Sequence, residues 1–170
     1  MNAPTENRDC VLRGNFLNIW LCNKSSGERW NMRCHYDKSM FPEVRRAVQL
    51  YIRWLKRHYY LGDKISLYLI NKYRIKCLMD NDYAFGTTFF PDDGSEIIIR
   101  IACGCKAEPV TVDEWDNYIG GVLSSLTHEL THVLYDPVET EYSERSLEWH
   151  CTRDANEILN QYARTHKHLV

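Results

Sequence analysis

Two histidines four residues apart flank a glutamate in His128-Glu129-Leu130-Thr131-His132. On an α-helix, side chains at i and i+4 stack on one face, so both imidazoles can grip a single metal ion. Glu129, beside the first histidine, stands where a general base is needed. A bound zinc lowers the pKa of its water toward about 7, and an adjacent carboxylate can take that proton and later hand it to a leaving amine. With seven histidines in the chain, a chance match is improbable, about 0.02 per chain of this composition. The bland alternative is an amphipathic helix carrying two surface histidines around a solvated glutamate.

A catalytic zinc site keeps three protein ligands and one open position. A glycine and then a third histidine soon after His132 would supply the set, but Tyr135 and Val138 hold those places. The next helical segment carries His150, Asp154, Glu157 and Gln161 along one face, with Leu147, Cys151, Ile158 and Tyr162 on an apolar face beside it. His150 is therefore the leading third ligand. Asp154, one turn on, becomes an acceptor for the free ring N–H of a first-helix histidine. Glu148 is the main competitor. It lies about 200° round the helix from His150, so the two cannot both face the metal. Asp154 and Glu157 are the remaining alternatives.

The elements that must hold these residues follow from period and punctuation. A long helix starts near Thr111 or Asp113 and runs to Tyr135, where Asp136-Pro137 stops it. On it, Leu123, Leu126, Leu130 and Val133 form a buried stripe, while Gly121, Ser125, His128, His132 and Tyr135 share another face. A polar stretch, 138–145, leads to a last helix from about Ser146 to Arg164. Upstream, Phe41-Pro42 opens a helix whose core stripe is Val44, Ala47, Val48, Tyr51, Ile52, Leu55 and Tyr59. Strands are expected over Ile65–Ile70, Tyr83–Phe90 and Glu96–Ala102, the last two joined as a hairpin by Pro91-Asp92-Asp93-Gly94. Residues 16–22 and 30–35 read as a second hairpin around Asn23–Gly27. The order predicts an α+β domain with a small antiparallel sheet. It divides into a lead-in with a β-hairpin over 1–40 and a catalytic domain over 41–170.

Composition narrows the classes. The chain has 170 residues, 44% hydrophobic and 26% charged, with a formal net charge of -2. This suits one domain, neither disordered nor collagenous. No run of about 18 apolar residues is present, so no membrane span is expected. The first residues lack the layout of a signal peptide, and the seven cysteines are scattered without a CxxC pair. Reduced thiols in a cytoplasmic protein are the expectation.

Taken together, His128-Glu129-Leu130-Thr131-His132, the polar loop and His150 on the following helix resemble a zincin peptidase of the gluzincin type, most similar to the SprT-like (Spartan-type) metallopeptidases. That resemblance implies a zincin-like fold, one catalytic zinc and a downstream histidine as third ligand. It also implies that the Glu96–Ala102 strand edges the cleft and pairs with an extended substrate backbone. In this chain Cys151 follows His150 where the family usually has glycine, and there is no C-terminal CxxC zinc ribbon. The Asp154-Ala155-Asn156 run is similar to the ImmA/IrrE-like, repressor-cleaving peptidases, whose third ligand is a glutamate.

The leading expectation is a zinc-dependent endopeptidase in which His128, His132 and His150 hold the metal and Glu129 moves the proton. Tyr135 and Tyr142 are candidate oxyanion donors. SprT-like relatives act on DNA-associated proteins, and here Arg45, Arg46, Arg53, Lys56 and Arg57 share one helical face with Trp54 near its margin. Such a row is ordinarily a solvated helix face, and a DNA contact is the sharper reading. A DNA-associated enzyme would work in the nucleoid or nucleus. The alternatives are a peptidase that cuts a regulator or host protein, and a silent, metal-stabilised binding module.

Overall fold

The structure, a computed structural model, describes residues 31–59, 64–77, 81–135 and 142–165. Helix α1 spans Pro42–His58, and proline fits its first turn because no backbone N–H is needed there. Val44, Ala47, Val48, Tyr51, Ile52 and Leu55 are buried, as the helical period requires. Trp54 is buried too, and stacks on Tyr51 and His58. It belongs to the core and does not flank the basic face.

The strands are β1 (Asn31–Tyr36), β2 (Lys64–Ile70), β3 (Ile75–Lys76), β4 (Tyr83–Ala84), β5 (Gly86–Phe89) and β6 (Ile97–Ala102). β3 and β4 form a short antiparallel pair of their own. The other four make one sheet in the order β1-β2-β6-β5. The expected antiparallel sheet is corrected here. β1 runs parallel to β2 and β2 parallel to β6, and only β5 is antiparallel to its neighbour β6. α1 supplies the crossover that a parallel β1–β2 pair needs, which a hairpin cannot. The 16–22 arm of the expected N-terminal hairpin lies outside the described residues. Its other arm is β1, which pairs with β2 from Asn31↔Lys64 to Tyr36↔Leu69. A boundary at residue 40 thus separates a strand from its sheet.

The hairpin from β5 to β6 forms as expected, with Gly94 at φ +67 in the turn. That left-handed geometry favours glycine. The single strand expected over Tyr83–Phe90 is divided into β4 and β5.

Helix α2 covers Val112–Tyr135 and α3 covers Glu144–Thr165. Ile65, Leu67, Ile99 and Ile101 of the sheet meet Leu123, Leu126 and Leu130 of α2 and the buried stripe of α1 in one core. Each such side chain contributes about 1.5–3 kcal/mol on burial, more than helical propensity alone provides. Thr127, the residue before His128, donates to the Leu123 carbonyl at 2.6 Å and accepts from the Tyr51 hydroxyl at 2.6 Å. α1 is thereby pinned to the turn of α2 that carries the motif.

Candidate metal centre

α2 turns His128 and His132 out of the core into a cleft of about 790 Å³, and their ring planes meet nearly edge to face. Across the cleft stands Glu148 of α3. His128 Nε2 lies 3.2 Å from Glu148 Oε2, His132 Nε2 lies 3.3 Å from Oε1, and the two Nε2 atoms are 3.1 Å apart. These three residues form a group that can hold a metal ion. Ligands about 2.0–2.1 Å from a tetrahedral ion sit roughly 3.3 Å from one another, so the donor spacing fits that geometry. The donor types, two imidazoles and a carboxylate, suit a borderline divalent ion. Burial pushes the pKa of His132 down, outweighing the opposing pull of Glu148, and this favours the neutral ring that a metal ligand must be.

The third-ligand reading is corrected by this geometry. His150 lies off the cleft among Tyr135, Tyr142 and Trp149, with ring centroids 5.8, 5.0 and 4.9 Å away. Its Nδ1 is buried with no hydrogen-bond partner among the described residues. Both residues flank the apolar stripe of α3. At about 100° per residue, Glu148 lies roughly 100° to one side of Leu147 and His150 roughly 60° to the other. The helix docks on α2 through the stripe, and its packing turns the Glu144–Glu148–Thr152 flank to the cleft. Spacing specified the stripe but left both flanks open.

Asp154 is also placed differently. It is 1% exposed, accepts the Tyr135 hydroxyl at 2.7 Å and is paired with Arg153 Nε at 2.7 Å. It therefore ties α3 to the end of α2 instead of accepting from a histidine. Tyr135 is fully buried in that bond, and neither it nor Tyr142 lines the cleft, so the two proposed oxyanion donors are withdrawn. The group facing His132 is Cys151, whose Sγ is 3.6 Å from Nδ1. Thr131 reinforces the junction by donating to the carbonyls of His128, at 2.6 Å, and Cys151, at 3.2 Å. The i+4 step from Leu147 marks Cys151 only as an apolar-face residue.

Glu129 lines the same cleft and is 8% exposed. Thr88 of β5 donates to its Oε2 at 2.8 Å. Burial raises its pKa to about 7, with a smaller push from Glu148 and an opposing pull from the Thr88 hydroxyl. Its carboxylate fits only because residue 86 is glycine. A Cβ there would lie 2.6 Å from Glu129 Cγ and 2.7 Å from Oε1. Thr88 and Gly86 gave no signal in the sequence, because their role depends on β5 lying against α2.

The cleft-side strand is also reassigned. β6, the strand expected to edge the cleft, is flanked by β2 and β5 and has no free edge. β5 is the sheet edge, and all four of its residues line the cleft.

On α1, Arg46, Arg53, Lys56 and Arg57 are exposed. Arg45 is half-buried, donates to the Asp37 carbonyl at 2.8 Å and lies over the Tyr36 ring. The five described cysteines, Cys34, Cys77, Cys103, Cys105 and Cys151, form no disulfide. No described helix is long and apolar enough to cross a membrane.

Fold and site together define an α+β protein with a small mixed sheet and a His-His-Glu group able to hold a metal ion. Comparison with known proteins finds no family model, no curated protein and no solved structure that matches the chain.

Proposed function

We propose that this protein is a zinc-dependent endopeptidase with His128, His132 and Glu148 as metal ligands and Glu129 as general base. The observation that carries the reading is the arrangement of the two histidines and Glu148 with a buried glutamate beside them, all lining a cleft bordered by a sheet edge. A zinc ion held there would supply Lewis acidity toward a carbonyl and acidify a bound water. Glu129, buried at the wall of the cleft beside His128, is placed to accept that water's proton and to return it to the leaving amine. Thr88 fixes the carboxylate's direction. β5 offers backbone groups to an extended peptide, a strand-addition mode that positions the scissile bond along the cleft.

Glu148 as third ligand favours the resemblance to ImmA/IrrE-like peptidases, with their glutamate ligand, over the SprT-like one with its histidine. A regulator protein is therefore the better-supported substrate class. The exposed cations of α1 keep DNA-associated substrates as a second reading, tested by salt-sensitive stimulation of cleavage by added DNA.

Metal analysis and proteolysis test the proposal directly. Purified protein should carry one zinc per chain and cleave an unfolded protein such as casein. Glu129→Gln should keep the zinc and lose at least about 10³-fold in kcat, combining a lost base with lost orientation. Glu148→Ala should lose the zinc while His150→Ala keeps it. Absence of zinc in wild type, or full activity in Glu129→Gln, would sink the assignment.

A further inference from the structure

A second cavity of about 430 Å³ adjoins the cleft, and Phe85, Ser124 and Ser125 line both. It sits beside the turn of α2 that precedes His128 and next to the residue that leads into β5. Its chemistry differs from the cleft's. The cleft is lined by three glutamates and two histidines. The second cavity presents Tyr73, Phe85, Ala102, Tyr118 and Val122 and no carboxylate. Tyr73 and Phe85 meet edge to face at 5.5 Å. Two cations cap them: Lys106 Nζ is 4.7 Å from the Tyr73 ring centre, and the Arg74 guanidinium is 4.9 Å from that of Phe85. One wall is fixed by backbone contact. Gly104 N–H donates to the Lys72 carbonyl at 2.9 Å, and a Cβ on Gly104 would lie 2.7 Å from the Lys72 backbone.

We infer that this cavity is a specificity subsite that takes a large apolar side chain, aromatic or leucine-like, from a peptide lying along β5. The inference rests on the peptidase reading for its substrate class, but the cavity's chemistry is its own. The walls shared at Phe85, Ser124 and Ser125 set the cavity directly beside the cleft, next to where a peptide along β5 would lie. The apolar lining favours a large apolar side chain over a small or polar one, because more apolar surface leaves water. The capping cations and the lack of acids disfavour lysine or arginine in that position and accept an acidic neighbour.

Gly121 gives a clean way to close the cavity. It lines the wall, is exposed on α2, and a Cβ built on it meets nothing within 4 Å. Gly121→Leu therefore fills space without displacing the protein and improves helix propensity, so the variant should fold. The first measurement needs no turnover. Amide NMR of the metal-free protein is followed while N-acetyl-phenylalaninamide or N-acetyl-glycinamide is added. The phenylalanine probe should give saturable shifts at Gly104, Gly121 and Ser124, the glycine probe none, and Gly121→Leu should weaken the response at least tenfold.

The second measurement compares cleavage of peptides that differ only in having phenylalanine, glycine or lysine next to the scissile bond. Wild type should prefer phenylalanine, and Gly121→Leu should cut kcat/KM for that peptide at least tenfold while changing the glycine peptide less than twofold. No saturable shift, or shifts indifferent to Gly121→Leu, would overturn the subsite. A wild type that cleaves without regard to that side chain would overturn it as well. If the protein binds no zinc and cleaves nothing, the peptidase reading fails while the NMR result still decides the cavity's ligand.

Discussion

Glu129 shows how much one side chain's environment matters. Its neighbours in sequence place it beside His128 of the candidate metal group, but its burial and the Thr88 hydroxyl come from elsewhere in the chain. Without metal, the folded protein holds the Glu129 proton to about pH 7, whereas the unfolded chain releases it near 4.5. Between those values the folded state binds more protons, so stability falls as pH rises through that window and levels off above it. The full effect is about 3 kcal/mol. Chemical denaturation of EDTA-treated protein at pH 5 and pH 7.5 should show most of this loss in wild type, and Glu129→Gln should flatten it. Equal slopes in the two proteins would contradict the assignment. Cys151 is the second informative residue. A thiol beside the outer nitrogen of His132 holds the ring in the orientation that leaves Nε2 free, so Cys151→Ala should weaken zinc binding about tenfold. Competition against a chromophoric chelator measures this, and an unchanged affinity would assign Cys151 to packing alone.

At the scale of elements, the site is a three-way junction of α2, α3 and β5. α2 was legible from the sequence because its two periods agree: leucines on one stripe, histidines on another. α3 was legible as a helix but not in its rotation, since Glu148 and His150 flank the same apolar stripe and only docking against α2 chooses between them. β5 was the least legible. Four residues, Gly86-Thr87-Thr88-Phe89, carry little periodic signal, and their edge position depends on which strands the rest of the sheet places beside β6. Gly86→Ala tests the junction. The added methyl would collide with Glu129 and push its carboxylate off the Thr88 hydroxyl, so zinc content should persist while proteolysis falls at least about 10²-fold. Retained activity would mean that Glu129 does not work from this position.

At the scale of the molecule, the sheet draws on residues from both sides of position 40. β1 pairs with β2 along six positions and buries Met32 beneath the sheet. A chain begun at residue 41 loses that ladder and leaves the β2 edge bare, whereas one begun at residue 30 keeps the ladder and covers the edge. The shorter chain should melt at least about 8 °C lower than the longer one, or aggregate, as judged by thermal scanning and light scattering. Matching melting points would place β1 outside the folding unit. Local spacing alone carries the three helices, a histidine pair able to bind a metal with a glutamate beside it, and an α+β class. These are local properties, written in spacings of three, four and seven residues. Strand direction, the third donor, the neighbours of Glu129 and the edge that borders the cleft come instead from long-range packing. Each depends on how elements distant in the chain dock, and an apolar stripe specifies that docking will occur without specifying which flank it presents.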